Sequence, residues 1–186
     1  MRHHLVIASA GLVTILACIA CFSQEVAPKK DQALYSISFN NVHYLPNNDW
    51  YGFEINFWHN SKGLFGIVAY RNGGDDAIQM GIMKDLKYDE KTNELQFSVK
   101  LRHRWVLYRA ESSEPPKMTL LFVGHMSSAL MNGTFTLRNE SAVPAAVVST
   151  EVFSYSGYVA SQNNFDDYES WLAAQQRVLS QWGPAW

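Results

Sequence analysis

Leu95-Gln96-Phe97-Ser98-Val99-Lys100-Leu101-Arg102 carries an apolar side chain at every second position and a polar one between. Successive side chains of an extended chain point to opposite faces, so this octapeptide reads as a strand with one buried and one wet face. The same rhythm recurs on both sides of it. Tyr35, Ile37 and Phe39 alternate with Ser36, Ser38 and Asn40, and Phe53, Ile55 and Phe57 alternate with Glu54, Asn56 and Trp58. Ile78, Met80 and Ile82 form another such run, as do Met131, Gly133, Phe135 and Leu137. Leu64 to Tyr70 is nearly continuously apolar, which predicts a strand buried on both faces or a sheet centre. Met118 to Val123 is apolar, and Ala142 to Tyr158 is rich in β-branched and aromatic residues.

Turn-forming clusters separate these runs: Pro46 to Asp49, Asn60 to Gly63, Asn72 to Asp76, Asp89 to Asn93, Glu111 to Pro116, and Ser127-Ser128. About eight strands at roughly ten-residue spacing, joined by short loops, predict a mainly β chain. The expected fold is a single antiparallel up-and-down barrel, lipocalin-like in architecture, with a two-sheet β-sandwich as the alternative. The likeness to lipocalins stops there, because their Gly-x-Trp entry motif is absent and no residue roles transfer.

Near the C-terminus the period changes. Phe165, Tyr168, Leu172, Val178 or Leu179, and Trp182 recur at three- and four-residue steps, predicting an amphipathic helix over residues 165–182. Asn164 is the expected cap, Asp166 and Asp167 suit the first turn, and Gly183-Pro184 stops the helix. Such a helix should lie on the sheet or close one barrel end.

The first residues set the compartment. Arg2, His3 and His4 precede thirteen uncharged residues, Leu5 to Ala17, and a small-residue stretch ends at Ser23. That is the order of an export signal, and the apolar run falls short of the ~20 residues of a membrane span. The expected layout is a signal peptide over 1–23, a flexible tether over 24–33, and one barrel-like domain over 34–186. Thr14-Ile15-Leu16-Ala17-Cys18 resembles the lipobox of bacterial lipoproteins, with Leu16 standing where that pattern prefers a smaller residue. That resemblance implies acylation at Cys18 as a second processing route, and a membrane surface as a partner only then. The implied location is periplasmic or secreted, or membrane-anchored through Cys18.

Both cysteines, Cys18 and Cys21, lie in the leader, so the rest of the chain has no disulfide and must rely on its core. About 160 residues suffice, since a domain of that size buries roughly 68–70% of its unfolded surface. Losing Arg2 with the leader takes the formal charge from −2 to −3, which gives no support to nucleic-acid binding. Lys100, Arg102 and Arg104 alternate and read as a solvated row on one sheet face.

No nucleophile elbow, phosphate-binding loop or zinc-protease motif is present, and the chain implies no catalytic residue and no cofactor. His43, His59, His103 and His125 stand singly, without metal-ligand spacing. Glu54 is the carboxylate to examine first. On the face of Asn56 and Trp58, it would be desolvated if that face pointed into a barrel, and exposed otherwise. A hydrolase would need a second carboxylate, for which Glu94 and Glu151 are candidates. Trp50, Tyr51, Trp58, Trp105 and Tyr108 can form a stacking platform or fill a core. The expected function is a non-enzymatic exported binding protein that holds a small apolar or amphipathic ligand inside the barrel. Its expected ligand-binding residues are Glu54, Trp58, Trp105 and Tyr108. The alternative is a periplasmic protein-interaction module, an inhibitor or immunity-type protein, that uses a surface aromatic patch.

Overall fold

The computed structural model describes residues 31–74, 77–104, 116–158 and 163–182. Among the described residues nine strands form one sheet: β1 (Leu34–Asn40), β2 (His43–Tyr44), β3 (Trp50–Asn60), β4 (Gly63–Gly73), β5 (Ile78–Asp89), β6 (Glu94–His103), β7 (Met118–Met126), β8 (Leu130–Asn139) and β9 (Ala146–Tyr158). From β3 to β9 every strand pairs antiparallel with the next, and β1 closes the circle by pairing with both β3 and β9. The result is a closed eight-stranded antiparallel barrel, with β2 as a short extension along β3 and one helix, α1 (Tyr168–Ser180), after the strands. The sandwich alternative is set aside.

The two-residue rhythm sorts side chains as expected. Leu95, Phe97, Val99 and Leu101 point inward and are buried, as are Met118, Leu120 and Phe122 on β7 and Met131, Phe135 and Leu137 on β8. An eight-stranded barrel is just wide enough for side chains to fill it. Here phenyl rings meet across the lumen: Phe53 stacks on Phe135 at 4.3 Å, Phe135 meets Phe122 at 4.8 Å, and Phe122 stacks on Phe97 at 5.2 Å. Phe39, Ile55, Phe57, Val68, Val99 and Leu120 are all 0% exposed, so no water-sized space adjoins them. Space for the rings comes from directly opposed glycines, Gly124 on β7 and Gly133 on β8. A Cβ on Gly133 would lie 2.6 Å from the Phe122 ring, closer than real Cβ contacts.

Leu64 to Tyr70 is covered on both faces because α1 lies outside the barrel over that strand. Val68 and Tyr70 face the lumen, whereas Phe65 and Ile67 pack against a second cluster centred on Trp58, Trp171 and Ala33. Ile82 turns outward to the same cluster, while its neighbours Gly81 and Met83 are buried. The helix starts three residues later than predicted. Asp167 caps it, accepting from the Ser170 N–H at 2.8 Å, and Asn164 instead accepts from the Tyr35 N–H of β1. Phe165 pairs with Ala33 through two 3.0 Å main-chain bonds, so the described end of the expected tether is fixed to the domain. The predicted stop at Gly183-Pro184 lies outside the described residues, as do the leader and Cys18.

Barrel closure is uneven. Among the described residues, β9 bonds to β1 at Tyr158 and Gly157, opposite Ser38 and Phe39. Continuing that register would set residues 40–44 against 156–152. Instead the chain bends at Asn41, whose side chain accepts from the Phe53 N–H at 2.5 Å, and β2 follows β3 alone. A side-chain bond also crosses this seam, from the Tyr51 hydroxyl to the Glu151 carboxylate.

The ring stack should dominate stability. Phe135→Ala, which opens a cavity at its centre, is expected to lose about 3–5 kcal/mol in urea unfolding. Thr134→Ala, on the outer face of the same strand, should stay within about 0.5 kcal/mol.

Candidate functional site

The outer and the inner face of the barrel wall each gather a group of polar side chains. The first carries a groove of about 410 Å³ between α1 and the barrel wall. Its floor is the outer face of three strands: Glu54, Asn56 and Trp58 from β3, Ile67, Ala69 and Arg71 from β4, and Ile78 and Met80 from β5. Ala174, Gln175 and Val178 of the helix form the opposite wall. Alternation explains the grouping, because Phe53, Ile55 and Phe57 take the lumen and leave their even-numbered neighbours outside. Glu54 pairs with Ala69 and Gly52 with Arg71, which makes Glu54 and Arg71 diagonal neighbours on this face.

Glu54 therefore faces the groove, outside the barrel. Its carboxylate accepts from the Asn56 side chain at 3.2 Å, and Asn56 in turn accepts from the Ser38 hydroxyl at 2.8 Å and the Tyr35 hydroxyl at 3.4 Å. Trp58 is 3% exposed, and its indole N–H donates to the Asn163 carbonyl at 3.0 Å. Its ring lies 5.7 Å from Trp171 and 5.3 Å from Tyr35, so most of it anchors the helix and only its margin reaches the groove. The structure brings Glu54 and Trp58 to one site. Trp105 and Tyr108 lie outside the described residues.

The row of Lys100, Arg102 and Arg104 is more engaged than a solvated strip. Lys100 and Arg102 line a second groove on the other flank of the helix, and Arg102 donates to the Leu179 carbonyl at 3.4 Å, near the negative end of the helix dipole. Arg104 is bridged to Trp182.

The second surface lines the barrel's inner wall beside the seam. Phe53, Tyr70, Gln79 and His103 are successive cross-strand partners on β3 to β6, and Tyr51 and Glu151 approach from β3 and β9. Burial pushes the Tyr70 hydroxyl up to about 12, with the Glu151 charge adding to it. Burial and the bond to Glu151 push Tyr51 further in the same direction. His103 is held below its usual range by burial, although its Nε2–H donates to the Pro116 carbonyl at 3.2 Å. His103 is thus the exception among the described histidines, since His43, His59 and His125 are exposed. The signal for this cluster was present in the sequence: Tyr51 shares its parity with Phe53, and Tyr70 with Val68.

Neither candidate carboxylate joins Glu54. Glu151 faces the lumen side of the seam, on the opposite surface of the wall, and Glu94 begins β6 at the far end of the barrel. Among the described residues, no three His, Cys, Asp or Glu side chains converge as metal ligands. Among the same residues, no helix is long and apolar enough to cross a membrane. No protein-family model, curated protein or solved structure matches this chain.

The tyrosines give a pH signature. Unfolded tyrosine releases its proton near 10, whereas Tyr70 in the fold holds it to about 12 and Tyr51 is also raised. The folded state then binds more protons above pH 10, so stability is complete below that pH and falls as pH rises toward 12. Absorbance at the phenolate band should show three tyrosines titrating late, because burial also raises Tyr88. Tyr51→Phe should remove one of them and flatten the alkaline loss of stability.

Proposed function

We propose that this chain is an exported, non-enzymatic binding protein that takes a small amphipathic molecule in the groove between α1 and the barrel wall. Export follows from the leader-like order of residues 1–23, and anchoring to a membrane surface follows only if Cys18 is acylated. The observation that carries the reading is the pairing of a filled lumen with a groove of ligand size. Pockets for small molecules typically span about 300–1,000 Å³, with a mostly apolar lining and a few placed polar groups. The groove fits that description. Ile67, Ala69, Ile78 and Met80 offer an apolar floor, and Glu54, Asn56 and Arg71 stand at one side of it. Among the described residues Arg71 makes no ion pair, so its guanidinium is free to meet a ligand head group.

The rings that fill the middle of the lumen favour the outer wall as the binding surface. Phe53, Phe135 and Phe153 occupy the volume that a ligand inside the barrel would need. The chemistry of the groove suits an apolar body with a polar head that an acid and a base can both address.

Decanoate and decylamine serve as probes of opposite head-group charge, followed by NMR. The reading expects shifts at the Trp58 indole and at the Ile78 and Met80 methyls. Ala174→Trp, which fills the groove, should abolish them while thermal stability is kept. Arg71→Gln should weaken decanoate, and Glu54→Gln should weaken decylamine. Shifts centred on lumen residues, or binding indifferent to Ala174→Trp, would count against the reading.

A further inference from the structure

β9 runs from Ala146 to Tyr158 and bonds to β8 along its length, but on its other side, among the described residues, only Gly157 and Tyr158 have strand partners. The Gly157 N–H donates to the Ala129 carbonyl on the β8 side at 2.8 Å. Main-chain groups alternate sides along a strand, so those of Thr150, Val152, Ser154 and Ser156 face away from β8. Among the described residues nothing bonds them. From Ala146 to Ser156 the barrel therefore carries an open edge roughly 35 Å long at about 3.3 Å per residue.

Natural sheets guard such edges with lysine, proline, inward charges or bulges, because an open edge templates another strand. This one has no Lys and no Pro between Ala146 and Ser156. Its single charge, Glu151, is turned to Tyr51, and its register shift lies at the far end, beside Arg138. Val147, Val148 and Val152 are exposed, Val152 at 84%. The edge is thus uncharged where it faces water, with valines set among the hydroxyls of Thr150, Ser154 and Ser156, and it offers no charge by which to select a foreign peptide.

We infer that two copies of this chain pair through β9, antiparallel about a two-fold axis near Val152. That register sets Val152 of both copies opposite each other and Thr150 of each opposite Ser154 of the other. Valine meets valine, hydroxyl meets hydroxyl, and the two Glu151 carboxylates are kept out of direct opposition. Self-complementarity of this kind is what a two-fold contact requires. The inference is independent of the groove, which lies on the β3–β5 wall.

Sedimentation of the protein as processed by its expression host should show a mass that rises toward two chains with concentration. Over the same range, amide exchange should slow at Thr150, Val152 and Ser154. Val152→Pro removes an N–H that the β8 ladder does not use, and Val152→Lys adds the missing guard charge. Each should weaken association roughly tenfold or more with the circular dichroism unchanged. If the proline variant does not fold, the lysine variant decides. A monomer at every concentration overturns the inference. So does a dimer that survives the lysine substitution, or edge protection that appears only when a foreign peptide is added.

Discussion

Everything in this molecule depends on Phe53 meeting Phe135 across the barrel. Their rings stack at 4.3 Å from β3 and β8, and each passes contact on: Phe53 to Tyr70, and Phe135 to Phe122, Phe97 and Phe153. With no cysteine beyond position 21, no covalent tie holds opposite walls together. Burying large rings supplies the cohesion instead, at roughly 25 cal/mol for each Å² removed from water. The glycine pair at 124 and 133 is a consequence, because a ring the size of Phe122 fits only where the backbone beside it carries no side chain.

The rings fill the middle of the lumen, and the proposed binding groove lies on the outer wall. The outer face over β3, β4 and β5 is unusually apolar for a barrel wall, and α1 covers it. A thirteen-residue helix is marginal alone in water. It persists because Trp171 and Leu179 are buried against the wall, Asp167 caps one end, and Arg102 meets the carbonyl of Leu179 near the other. Coverage is incomplete, and the gaps on the two flanks are the grooves. The flank with Glu54 and Arg71 has a mostly apolar floor, while the flank with Lys84, Lys100 and Arg102 is basic.

Much of the fold was legible because a two-residue rhythm has one physical meaning. Leu95 to Arg102 sorted its side chains as the alternation requires, and so did Phe53 to Trp58. The continuous apolar stretch from Leu64 to Tyr70 implied cover on both faces before the helix was seen to provide it. What the alternation leaves open is which partner covers an apolar face: Ile82 packs under the helix rather than in the lumen. Asn164 looks like a cap by composition, but its side chain is spent on Tyr35, a contact 129 residues away in sequence. Trp171 is the deepest residue of the helix, and its three-residue step from Tyr168 was the available sign. The seam was the least legible feature, since it follows from one bend at Asn41. Glu54 and Trp58 were legible as neighbours on one face; that this face lies outside the barrel follows from closure.

Xenon enters apolar cavities and leaves filled cores empty, so a crystal of the protein pressurised with xenon tests the central claim most directly. The account predicts no bound xenon among Phe53, Phe135 and Phe153. A well-occupied xenon site inside the lumen would contradict it.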